Sequence, residues 1–151
     1  MSDSTPVVIE LPTERAIAIR ATLPMRELPA FFERAFTELA ACAGARSTGT
    51  PFAIYHAITA DTVDAEAALP VTFDVTPIGA IHVLELAGGP AVEVRHAGPY
   101  ADLGTAYMAI ERWLLAHHRA RGAPIREIYL TDPSVAPDEL VTLVRQPLAP
   151  G

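Results

Sequence analysis

Two spacings of apolar residues take turns along this chain. Val7–Leu11 and Arg15–Thr22 alternate side chains as half-buried strands do, with Val7, Ile9, Ile17 and Ile19 as the inward set and a Pro-Thr-Glu turn between them. Leu28, Phe32, Ala35, Phe36 and Leu39 then fall at helical spacing, and Pro29 is tolerated because it lies in that helix's first turn. Gly44–Pro51 reads as a loop and Phe52–Ile58 as a strand. An acidic segment with Asp61, Asp64 and Glu66 leads to a further strand around Val71–Val75. After a connector over Thr76–Ala80, Ile81–Leu86 and Ala91–His96 read as a hairpin about Gly88-Gly89-Pro90. Gly98-Pro99 stops that strand, and Asp102 is the expected N-cap of a second helix. Its apolar face carries Leu103, Tyr107, Ile110, Leu114 and His117, and Gly122 and Pro124 close it. Ile125–Thr131 and Leu140–Gln146 are the last strands, while Met1–Pro6 and Pro147–Gly151 read as a frayed start and a short tail.

The order repeats. Ala16/Ala91, Ile17/Val92, Ile19/Val94, Arg20/Arg95, Pro24/Pro99, Glu27/Asp102, Leu28/Leu103 and Phe32/Tyr107 all match at a single offset, and Ile54-Tyr55 falls over Ile128-Tyr129 after a slip of one residue. Fixed-offset similarity of this kind predicts a duplication, with one half over residues 7–75 and the other over 79–147 of a single domain. The expected fold is α+β: two β-β-α-β-β halves forming one antiparallel sheet, with both helices on one face and a ligand cleft between them.

Composition narrows the classes. Half the residues are hydrophobic, and no apolar run approaches the length that spans a membrane, so a soluble globular protein is expected. The N-terminus lacks the basic and apolar regions of a signal peptide. The single cysteine, Cys42, can form no internal disulfide and reads as a small buried hydrophobe; the expected location is the cytoplasm. A net charge of −7 without a basic cluster argues against direct nucleic-acid binding.

The sharpest chemical candidate is Glu127, which strand alternation places between Ile125 and Tyr129 on one face. A carboxylate there is tolerated in three ways: paired with an internal arginine such as Arg126, Arg95 or Arg20, protonated, or open to a ligand cleft. Tyr55, Tyr107, Trp113 and Tyr129 offer π faces suited to planar or cationic amphiphiles, with ordinary core packing as the alternative for each. A three-residue hairpin loop sets His82 opposite His96, a polar pair for the cleft rim. A metal centre lacks further ligands, and no cofactor is expected. Gly88-Gly89-Pro90 has no helix after it and is no phosphate loop.

Taken in order, Pro51-Phe52-Ala53-Ile54-Tyr55-His56, Leu69-Pro70-Val71, Arg95-His96-Ala97-Gly98-Pro99-Tyr100, Tyr107, Trp113-Leu114 and Arg126-Glu127-Ile128-Tyr129-Leu130 before Asp132-Pro133 resemble the GyrI-like small-molecule-binding domain. That domain is also the effector-binding module of AraC-type and multidrug-sensing regulators. The resemblance covers nearly the whole chain and implies a central cleft, with Glu127 at its floor and Tyr55, Tyr107 and Trp113 as walls. With no DNA-binding segment flanking it, the chain reads as a stand-alone module. The leading expectation is a binding protein that senses or sequesters hydrophobic, planar or cationic compounds, with Glu127, Tyr55, Tyr107, Trp113, Tyr129 and His96 contacting the ligand. The alternatives are a hydrolase of cyclopropane-bearing toxins using Glu127 and Tyr55, and a protein inhibitor of DNA gyrase or another partner.

Overall fold

A computed structural model describes residues 5–151; the expected frayed start lies largely outside them. Eight strands and two α-helices make the α+β class that the sequence predicts. In chain order they are β1 (Val7–Leu11), β2 (Glu14–Pro24), α1 (Leu28–Ala43), β3 (Phe52–Ile58), β4 (Thr62–Pro70), β5 (His82–Leu86), β6 (Gly89–Ala97), α2 (Gly104–His117), β7 (Ile125–Tyr129) and β8 (Val141–Pro147). The chain divides into two compact units. One is Thr13–Ala87; the other is the segment through Pro12 together with Gly88–Gly151.

In the Thr13–Ala87 unit the strands run β3-β4-β2-β5 and every pairing is antiparallel. The helix α1 lays Phe31, Ala35, Leu39 and Ala43 onto Ile17, Ile19, Ala67 and Leu69. Ala67 sits in register between Ile19 and Ala53, and its small side chain leaves room for the helix's larger ones. Pro29 stands in the first turn of α1, where its missing N–H has no helical partner to lose. Cys42 is half-buried and its thiol lies 3.6 Å from the Thr76 carbonyl.

In the other unit the order is β1-β6-β8-β7, again antiparallel throughout. From α2, Leu103, Ala106, Ile110 and Leu114 pack on Val92, Val94, Val144 and Leu148. Val7 and Val8 lie on the edge strand β1 and are exposed, so Val7 leaves the expected inward set.

Four sequence expectations give way. The Ile81–Leu86/Ala91–His96 hairpin does not form: β5 pairs with β2, and β6 pairs with β1 and β8. The strand expected at Val71–Val75 lies earlier, as β4, with Asp64 and Glu66 inside it; Val71 makes a single bridge to Ser47. Asp102 does not cap α2, because a 3₁₀ turn over Tyr100–Asp102 precedes the helix and Leu103 holds the cap position without a side-chain bond. The helix ends at His117, with His118 left-handed at φ 52°, so Gly122 does not close it. Gly122 instead lies against the chain end, where a Cβ would stand 2.5 Å from the Leu148 carbonyl oxygen.

Within the Thr13–Ala87 unit, Arg20 donates to both oxygens of Asp64, at 2.9 and 2.7 Å. That hydrogen bonding from Arg20 holds the Asp64 carboxyl below the usual carboxylate range. A depressed folded-state value stabilises above the unfolded carboxyl's pKa, near about 4, and the gain disappears as pH falls through the lower folded value. Because Arg20 is half-exposed, we expect Asp64→Asn to cost only about 0.2–1 kcal/mol. Urea unfolding at pH 7 and at pH 2.5 should show the difference at the first and not at the second.

Candidate ligand-binding site

The strand β7 reads Ile-Arg-Glu-Ile-Tyr, so Glu127 and Tyr129 project from one face and Arg126 and Ile128 from the other. Ile125 shares the Glu127 face and packs into the α2 cluster. The acid therefore belongs to the side of the sheet that α2 covers, and it is only 7 % exposed. A carboxylate taken out of water needs hydrogen bonds to compensate its lost hydration. Two phenols donate to it. Tyr107, on α2, donates to Oε2 of Glu127 in a short bond, and Tyr129 donates to Oε1 at 2.8 Å. One donor comes from the helix and the other from the acid's own strand, so the site is built into the packing of α2 on this sheet.

A third phenol approaches from the turn after β6. Tyr100 stands edge-on to Tyr129, with ring centroids 6.0 Å apart and planes at 80°. Burial, and then the nearby charge of Glu127, raise its phenol above the ordinary tyrosine value, so it keeps its proton. The sequence reading leaves Tyr100 out of the site, although the Arg95–Tyr100 motif contains it.

The other expected residues have distinct settings. His96 is buried, and its Nε2–H donates to the Pro99 carbonyl at 3.1 Å. It faces Thr142 across the sheet, while His82 faces Ala18, so the two histidines do not form the expected pair. Trp113 stacks on His117, with centroids 4.2 Å apart and planes at 17°, and is half-buried against the α2 cluster; Leu114 takes the inward position. Tyr55 belongs to the Thr13–Ala87 unit, where it stands edge-on to Phe32 at 6.3 Å. Arg20, one of the arginines considered as partners for Glu127, donates to both oxygens of Asp64.

A second buried acid escaped the sequence reading. Glu66, on β4, is 2 % exposed and accepts from two imidazoles: His56 Nε2 at 2.8 Å on one oxygen and His82 Nε2 at 2.5 Å on the other. His56 is the extra residue where the β3–β4 register shifts between Tyr55 and Ala57. The small residues around Glu66 resemble a linker or a helix more than a strand, which concealed it. Among the described residues, no group of His, Cys, Asp and Glu is arranged to hold a metal ion. Among the same residues no helix is long and apolar enough to cross a membrane.

The chain belongs to the GyrI-like small molecule binding domain family, whose family model matches residues 4–149. Its fold is similar to that of the EcmrR C-terminal domain, with a TM-score of 0.85 at 20% identity over 96% of this chain and 97% of that one. In the EcmrR–DNA complex the chain spans 57% of the EcmrR chain, with the same TM-score and identity and 95% of this chain covered. A hydrolase from Listeria innocua matches at a TM-score of 0.77 and 13% identity over 99% of this chain and 94% of its own. SAV2435, solved with tetraphenylphosphonium, matches at 0.67 and 15% over 95% of this chain and 93% of its own. No curated protein matches the sequence.

The Tyr129 hydroxyl should be structurally costly to lose. Tyr129→Phe removes a donor from a buried carboxylate, and we expect a loss of about 1–3 kcal/mol. Equilibrium urea unfolding checks this; a value within about 0.5 kcal/mol of wild type, the usual range of surface substitutions, would mean that water replaces the hydroxyl.

Proposed function

We propose that this chain binds hydrophobic, planar or cationic compounds at Glu127, and so senses or sequesters them. The observation that carries the reading is a buried carboxylate whose two phenol partners donate hydrogen bonds without bringing charge. Such donors hold the carboxylate in place without themselves neutralising it, which suits it to meet a cation. Their rings supply apolar and π surface for the rest of the ligand. The match of the fold to SAV2435, solved with a lipophilic phosphonium, supports choosing that compound as the probe.

A second reading, hydrolysis of reactive small molecules, draws on the Tyr107–Glu127 hydrogen bond. A phenol held on a carboxylate is an arrangement through which a proton can pass to a leaving group. The fold it shares with a Listeria innocua hydrolase is compatible with this reading.

One substitution separates the two. Glu127→Gln keeps the shape and removes the charge. In calorimetric titration with tetraphenylphosphonium, we expect affinity to fall by at least about tenfold, or 1.4 kcal/mol. Unchanged affinity would remove Glu127 from the binding account. Under the hydrolase reading, turnover of a cyclopropane-bearing substrate falls about 10²–10⁴-fold in the same variant; no turnover by the wild-type protein leaves the binding reading alone.

A further inference from the structure

The turn between β6 and α2 is more constrained than a connector requires. Gly98 sits at φ 129°, a conformation that L side chains rarely adopt, and its N–H donates to the Leu140 carbonyl at 2.8 Å. Pro99 follows with its carbonyl doubly engaged, by the Asp102 N–H at 3.0 Å and by the His96 Nε2–H at 3.1 Å. A carbonyl only accepts, so the proton of His96 is on Nε2. Nδ1 is then an acceptor; it is buried and has no hydrogen-bond partner among the described residues. The His96 ring thus makes one side-chain hydrogen bond, to the backbone of the residue before Tyr100.

What that contact fixes is an aromatic ring beside the acid. Tyr100 is 41% exposed, edge-on to Tyr129, and close enough to Glu127 for the carboxylate's charge to act on its phenol. Tyr107 and Tyr129 commit their hydroxyls to the carboxylate, whereas Tyr100 keeps much of its surface open to solvent. We propose that Tyr100 is the selectivity residue at the rim of the Glu127 site, favouring cations with aromatic substituents, and that His96 is the positioning residue that sets its ring through Pro99. This rests on the cation-binding reading above. A ring at the rim packs on an incoming aryl group by offset or edge contact, and gives an alkyl arm of the same bulk no comparable geometry. The charge itself is met by Glu127 whatever the arms are made of.

Two cations of equal charge separate these roles: tetraphenylphosphonium, with aryl arms, and tetrabutylphosphonium, with alkyl arms. In calorimetric titrations of the intact chain, Tyr100→Leu should weaken the aryl cation about tenfold and the alkyl cation less than about twofold. Tyr100→Phe keeps the ring and should hold both within about threefold of wild type. His96→Leu removes the donor to Pro99 and should reproduce the selective loss. His96→Gln retains an N–H donor and should restore selectivity, a rescue that a purely structural role for the ring does not predict. Tyr100→Leu that binds both cations as wild type does, or loses both alike, overturns the inference. If binding depends on Glu127 and not on Tyr100, only this inference falls. If the wild-type protein takes up neither cation, the cation reading falls and this one with it.

Discussion

A carboxylate removed from water governs how one unit of this protein is put together. Glu127 is buried beneath α2, and the free energy lost with its hydration has to be recovered through hydrogen bonds. The recovery comes from Tyr107 on the helix and Tyr129 on the strand. The apolar contacts of Leu103, Ala106, Ile110 and Leu114 with the sheet thus have a second effect beyond burying area: they hold a phenol at bonding distance from an acid. Packing and site chemistry are coupled. A shift of α2 that left its hydrophobic contacts intact would still take the Tyr107 donor from the buried carboxylate, so the helix has little freedom to slide.

The second buried acid shows how much the donors matter. Glu66 and Glu127 are alike in exposure and in accepting two side-chain hydrogen bonds. Imidazoles can bring a positive charge to the carboxylate they bond; phenols bring only a dipole. Glu66, held by His56 from β3 and His82 from β5, is built to tie neighbouring strands together and can be neutralised by its own partners. Glu127 receives no charge from Tyr107 or Tyr129. Two acids of similar burial thus differ in the donors set against them: imidazoles at Glu66, phenols at Glu127.

The sequence made the strands and helices with strong periodicity easy to place. Phe52–Ile58, Val7–Leu11 and the start of α1 at Leu28 come out at the expected residues. Glu127 between Ile125 and Tyr129 was legible as an acid on an apolar face, because alternation along a short strand is a local property. What failed was non-local or locally ambiguous. The segment Thr62–Pro70 is rich in alanine and carries Asp64 and Glu66, residues with weak strand preference, and it is a strand only because β2 and β3 pair on either side of it. The supposed hairpin at Gly88–Pro90 has the turn residues of one, yet each flanking strand finds its partner far away in the chain. His82 could be assigned to Glu66 only once that pairing was known. Tyr100 was missed for another reason: it lies in a turn, where periodicity says nothing about direction.

The pairing of β1 with β6 bears on how the chain reaches its folded state. Val7 is in register with Glu93, and β5 returns to β2, so the first strand waits for a partner made much later. On a ribosome the β2-α1-β3-β4 segment can form while the sheet containing β1 is still incomplete, and β1 stays an unpaired edge until β6 emerges. Contacts this distant in sequence are slow to close, since the intervening chain must be ordered before they repay its entropy. The exposed valines of β1 are therefore a hazard during synthesis, a window in which a strand from another chain competes for the same edge.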